Sequence, residues 1–101
     1  MSEIWTKVSR VLTHSSNGFY LIECPGCKQL HMLNVDQSRP QCWQFDGDVE
    51  KPTFSPSLMV NGSQPEKRCH SFIRNGQIQF LSDCHHGLAG QTVDLPDVEE
   101  F

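Results

Sequence analysis

Cys69-His70-Ser71-Phe72-Ile73-Arg74, Asn75-Gly76 and Gln77-Ile78-Gln79-Phe80-Leu81-Ser82 form the stretch whose reading decides the fold. Asn-Gly between two runs rich in β-branched and aromatic residues marks a hairpin, because a type I′ turn needs positive φ at both central residues. A two-residue loop pairs Arg74 with Gln77, His70 with Leu81, Cys69 with Ser82 and Arg68 with Asp83. Ile73, Ile78 and Phe80 then share the expected core face, with Cys69 directed towards it. His70 and Asp83 fall diagonally on the opposite face, within reach of an imidazole–carboxylate hydrogen bond. A slip of one residue would exchange the two faces.

Outward from this hairpin, six prolines and seven glycines cut the chain into short segments. Phe19 to Glu23 reads as a strand and Leu30 to Val35 as its return, with Cys24-Pro25-Gly26-Cys27 at the bend. Gln91 to Leu95 reads as a last strand before an acidic tail over 97–101. No segment holds a helical period over ten residues, so helix is limited to a turn or two near His85 to Ala89. The expectation is one small domain over 1–101, mostly β, as a β-rich or α+β fold built of short hairpins around a metal.

Size and composition narrow the function. A chain of 101 residues has room for one modest core, and a metal or disulfides would stabilise it materially. Five cysteines cannot all pair within the chain. Met1 to Thr13 has no secretory apolar core, and no apolar run approaches the roughly 20 residues that cross a bilayer. The cysteines therefore read as metal ligands in a reducing compartment, and the expected location is cytoplasmic, with no membrane. Eight basic against twelve acidic residues, a net charge of −4, disfavour nucleic acid as the partner.

Cys24-x-x-Cys27 on a hairpin bend has the geometry of a zinc knuckle. A redox pair competes less well, since thioredoxin-like motifs open a helix and here a strand follows. Cys69, His70, Cys84, His85 and His86 bracket the Asn75-Gly76 hairpin and converge at its open end. Zinc needs four donors, and this second cluster can supply the remaining two. His70 is preferred slightly to Cys69, and Cys84, His85 and His86 remain open at the corner. His31, four positions after Cys27, is either a ligand or a polar group beside the metal. Cys42 beside Trp43 reads as a small core residue and His14 as surface. In Pro52-Thr53-Phe54-Ser55-Pro56-Ser57 the hydroxyls of Ser55 and Ser57 either contact substrate or cap local turns.

Cys24-Pro-Gly-Cys27 with His31, Trp43, Pro52-Thr-Phe-Ser-Pro-Ser57, Cys69-His-Ser-Phe-Ile73 and Asn75-Gly76 carry a family resemblance. Asp83, His86, Leu88-Ala-Gly-Gln-Thr-Val93 and Leu95-Pro96-Asp97 extend it, so that it covers about 19–97. The chain resembles the uncharacterised family of small phage and prophage proteins often mislabelled "ammonia monooxygenase". That label does not suit a chain without a membrane span, since ammonia oxidation belongs to a membrane-bound copper enzyme. The resemblance implies a metal-binding domain of phage or bacterial origin. It favours the positions of Cys24, Cys27, His31, Cys69, His70, Asp83 and His86, and so points to His86 at the corner. Some relatives lie beside bacterial ubiquitin-like conjugation genes, which implies a peptidase role.

The expected ligands are therefore Cys24, Cys27, His70 and His86 around zinc, with Cys69 as the alternate. Two functions stand foremost. One is a closed structural zinc site in a module that binds a protein or peptide. The other is a zinc-dependent hydrolase, a peptidase or deconjugase acting on a peptide or isopeptide bond, with Asp83 or His31 as base and Ser55 and Ser57 lining the substrate groove. A non-metal catalyst using Cys69 or Ser57 with a histidine ranks last, for want of a recognisable nucleophile motif.

Overall fold

The computed structural model describes residues 4–98, so Glu99, Glu100 and Phe101 of the acidic tail lie outside the described residues. Among the described residues, nine strands make two antiparallel sheets and there is no helix. The first sheet holds β1 (Trp5–Lys7), β2 (Thr13–Ser15), β3 (Phe19–Cys24) and β4 (Gln29–Asn34) in sequence order. The second holds β5 (Gln44–Phe45), β6 (Phe54–Val60), β7 (Cys69–Arg74), β8 (Gln77–Phe80) and β9 (Thr92–Asp94), again in order. Every connection is thus local, as expected when turn-forming residues fall every few positions. The segment from His85 to Ala89 forms turns.

The β7–β8 hairpin has the register that Asn75-Gly76 imposes: Arg74 faces Gln77, Ile73 faces Ile78 and Ser71 faces Phe80. Asn75 and Gly76 have φ of 52° and 77°, the left-handed values that a type I′ turn demands. Alternation along β7 buries Cys69, Ser71 and Ile73 and leaves His70 and Phe72 half-buried. Ile22, Cys24 and Leu33 from the first sheet join Cys69, Ile73, Ile78 and Phe80 from the second in one apolar core. At one end of that core Phe45 stacks on Phe54 at 4.8 Å, and Tyr20 of the first sheet leans on both.

β6 departs from regular pairing. Phe54 faces Ile73 and Leu58 faces Ser71, so β6 spends two more residues than β7 between these pairs. Pro56 lies in this irregularity, where its missing N–H interrupts no ladder bond. The bulge re-aims Ser57, a common use of such irregularities. Trp43 ties the region to the first sheet: its N–H donates to the Asn34 carbonyl at 2.8 Å, and its indole N–H donates to the Ser57 carbonyl at 3.3 Å.

The two faces of β8 should respond very differently to truncation. Ile78 is fully buried, so Ile78→Ala is expected to lower stability by roughly 2–5 kcal/mol. Its half-buried neighbour Gln79 should change it by no more than about 0.5 kcal/mol on Gln79→Ala. Urea denaturation of the two variants measures the contrast.

Candidate functional site

Two groups of polar side chains meet at the start of β7, one on each side of the strand. Inside, Cys24 closes β3, Cys27 follows on the tight bend, His31 lies on β4 and Cys69 opens β7. Their donor atoms all lie within 4.8 Å of one another, and together they could hold a metal ion. The Cys24 and Cys69 sulfurs are 3.9 Å apart, and the Cys27 N–H donates to the Cys24 sulfur at 3.3 Å. His31 is 4% exposed, and its Nε2 has no hydrogen-bond partner. A buried imidazole nitrogen beside thiols, with no hydrogen bond of its own, is a donor that a cation could use.

The thiols also perturb one another. The Cys69 thiol donates to Cys24 and so draws Cys24 down to about 3. Burial, followed by the neighbouring Cys24 thiolate, pushes Cys27 up to about 11. Cys69 is pushed up strongly, by the hydrogen bond it gives Cys24 and then by burial. The three thiols thus oppose one another's ionisation, an opposition that a bound cation would relieve.

His85 and His86 flank this cluster. His86 Nε2 is 3.6 Å from the Cys69 sulfur, and its Nδ1 accepts the Leu88 N–H at 3.2 Å. Burial, which includes an edge-on contact with Phe80, lowers its pKa and favours the neutral ring. With Nδ1 engaged by the Leu88 N–H, it is Nε2 that faces the Cys69 sulfur. The ring rests on Gly26, where an added Cβ would fall 2.2 Å from it. His85 Nε2 lies 3.5 Å from the Cys27 sulfur. Cys69, Cys84 and His86 also form a smaller group of potential donors.

On the other side of β7, Ser57, His70 and Asp83 form a hydrogen-bonded line. His70 Nδ1 is 3.3 Å from Asp83 Oδ2, and His70 Nε2 is 3.2 Å from Ser57 Oγ. An ionised carboxylate only accepts, so Nδ1 carries the proton and Nε2 accepts the Ser57 hydroxyl. Cys84 fixes the arrangement from behind: its sulfur accepts the His70 N–H at 3.2 Å and donates to the His70 carbonyl at 3.1 Å. Hydroxyl, imidazole and carboxylate in this order are the parts of a nucleophile, its base and the group that orients the base.

The structure therefore divides the expected site residues between two places. Cys24 and Cys27 lie together with Cys69, the alternate ligand, and with His31. His70, expected on the metal, has both ring nitrogens engaged by Ser57 and Asp83. His86 adjoins Cys69, with its Nε2 3.6 Å from the sulfur. Asp83 and Ser57 meet at His70, whereas Ser55 is exposed and pairs with Gln44 of β5. Sequence reasoning had Ser57 in view but lacked its link to His70, which requires the pairing of β6 with β7. The signal within reach was a serine in the stiff Pro52-Thr53-Phe54-Ser55-Pro56-Ser57 stretch.

Comparison with known proteins gives one family. The family model described as bacterial ubiquitination-like system serine protease (BubE) matches residues 3–81, a stretch that includes Ser57 and His70 and stops short of Asp83. No curated protein and no solved structure matches the chain.

The placement of the ligands is open to direct measurement. Metal content by plasma mass spectrometry is expected to be one ion per chain, lost in Cys24→Ser and Cys69→Ser and weakened in His31→Ala. His70→Ala should retain the full metal content, because His70 faces the other side of β7.

Proposed function

The chain belongs to the family of bacterial ubiquitination-like system serine proteases (BubE), and on that premise we propose that it is a serine protease whose nucleophile is Ser57. His70 is the general base and Asp83 the carboxylate that orients it. The observation that carries this reading is the unbroken Ser57–His70–Asp83 hydrogen-bonded line, with neighbouring contacts of 3.2 Å and 3.3 Å. It draws on three separate segments, β6, β7 and the corner after β8, which makes chance alignment a poor account of it.

In the reaction, Ser57 Oγ bonds to the substrate carbonyl carbon while its proton passes to His70 Nε2. Collapse of the tetrahedral adduct breaks the C–N bond, and His70 delivers that proton to the leaving amine. Water then attacks the acyl ester, giving a proton to His70 that returns to Ser57 Oγ as the acid departs. Asp83 accepts from Nδ1 throughout, so it holds the productive tautomer and stabilises the imidazolium as it forms. The substrate is accordingly a protein, and the family description directs the reading to a peptide or isopeptide bond of a ubiquitin-like protein.

The metal in this reading is zinc, and its role is structural. Cys24, Cys27, Cys69 and His31 would make a closed Cys₃His set. The 3.9 Å separation of the Cys24 and Cys69 sulfurs suits a tetrahedron, whose S–S edge is about 3.8 Å for a Zn–S bond near 2.3 Å. Bound there, zinc would tie β3 of the first sheet to β7 of the second and add to folding stability. Four protein donors leave no position for an activated water, which favours the serine over a zinc-bound hydroxide as the nucleophile. A soluble enzyme of a phage-infected or lysogenic bacterial cytoplasm fits this chemistry, since three free thiolates on zinc suit a reducing compartment.

Diisopropyl fluorophosphate tests the nucleophile without knowledge of the substrate. Stoichiometric phosphorylation of Ser57, located by peptide mass spectrometry and absent in Ser57→Ala and His70→Ala, is the expected result. Asp83→Asn should slow hydrolysis by about 10³–10⁴-fold while leaving the fold and metal content intact. Absence of any labelling in metal-replete wild type would refute the reading.

A further inference from the structure

The backbone of Met59, two residues after Ser57 on β6, turns to the side of the strand that faces a groove. The alternation of the ladders establishes that direction. In an antiparallel pair, a residue turns both its N–H and its C=O either towards its partner strand or away from it. The His70 carbonyl accepts the Leu81 N–H at 2.9 Å, and both its N–H and its carbonyl are bonded to the Cys84 sulfur. His70 therefore points its backbone away from β6, and its opposite residue Met59 must point its own away from β7. The Ser57 carbonyl, two residues earlier, points the same outward way and receives the Trp43 indole. On that side β5 covers only Phe54 and Ser55. Beyond it, among the described residues, no strand pairs with β6.

The space beside this edge has an apolar part, with polar groups such as Asn34, Arg39 and Asn61 on its rim. A groove of about 740 Å³ runs between β6 and β4, lined by Leu30, Met32, Trp43, Leu58 and Met59 among others. Leu30, Met32 and Met59 are three of the five large hydrophobic residues that the described chain leaves exposed, at 40%, 50% and 42%. Exposed apolar side chains gathered beside an open strand edge are the two elements of β-strand addition: backbone bonds give affinity and side-chain pockets give selectivity.

We propose that the substrate binds as an extended strand antiparallel to β6, bonded through both backbone groups of Met59, with an apolar side chain in the groove. This deepens the serine-protease reading and rests on it. The direction of the strand assigns the subsites. Antiparallel to β6, the chain reaches Met59 before it reaches Ser57, so the acyl side of the scissile bond occupies the groove. The Trp43 indole already occupies the Ser57 carbonyl, so the substrate strand parts from β6 beyond Met59, and the residue that donates the scissile carbonyl lies two positions after the one opposite Met59. The Met59 N–H donates to the carbonyl of the residue opposite it, whose N–H donates to the Met59 carbonyl. An open-ended strand of this kind is what a flexible tail offers, and a compact folded surface is not. Strand addition thus selects for an extended, apolar acyl-side segment, such as the end of a small tagging protein.

The test uses acetylated one-, two- and three-residue peptide aminomethylcoumarin amides with metal-replete wild-type protein. Fluorophosphate labelling of Ser57 is measured first. With labelling present, the third residue is expected to raise kcat/KM by roughly tenfold or more, and leucine there should outperform aspartate. N-methylation of that third residue's amide should remove most of the gain, and Met59→Pro, which deletes the Met59 N–H, should flatten the dependence on length. Because the N-methyl comparison uses wild type, it decides the matter even if the proline variant fails to fold. Normal labelling with no gain from the third residue, or with equal cleavage of the N-methyl peptide, would overturn the strand-addition site and leave the serine protease standing. Absence of labelling would remove both.

Discussion

Cys69 and His70 are adjacent on a strand and must therefore point to opposite faces. The rest of the molecule follows from that constraint. The inward residue of the pair is completely buried among Cys24, Cys27 and His31, where it links one sheet to the other. The outward residue meets Ser57 on one neighbouring strand and Asp83 on the corner beyond the other. Sulfur chemistry and imidazole chemistry are thus one residue apart in sequence and separated in space by the thickness of a single strand. Neither group competes with the other for its partners.

The two groups are also coupled mechanically. The corner that follows β8 delivers Asp83, Cys84, His85 and His86 in succession, and each serves a different neighbour. Asp83 holds the His70 ring, and Cys84 holds the His70 backbone from both its donor and its acceptor sides. His85 and His86 reach back to the sulfurs of Cys27 and Cys69. The thiol cluster therefore helps to set the position of the turn that carries Asp83. In a domain with a small core and no helix among its described residues, such a tie replaces some of the rigidity that a larger core would provide.

Much of this was written in local sequence. Asn75-Gly76 specified its hairpin because the turn chemistry admits few alternatives, and with it the register that brings His70 to Asp83 and turns Cys69 inward. Cys24-Pro-Gly-Cys27 marked a bend between two strands for the same kind of reason. The division of labour between Cys69 and His70 was less legible. Both residue types ligate zinc, so their identity alone could not assign them, although the alternation that separates them was already apparent. Ser57 was harder still. No nucleophile motif surrounds it, and its contact with His70 depends on a bulge in β6 and on which strand lies beside it.

By itself the sequence determined the short-range features: a mostly β chain, the two hairpin bends, and a set of cysteines and histidines too rich to be only core. Each of these depends on backbone preferences or residue chemistry acting over a few positions. The tertiary structure decided which histidines lie beside the thiols, which serine faces His70, and which strand edge remains open nearby. These outcomes depend on pairing between segments ten to forty-five residues apart. A pairing of that kind is fixed by the packing of the whole core, and no local pattern encodes it.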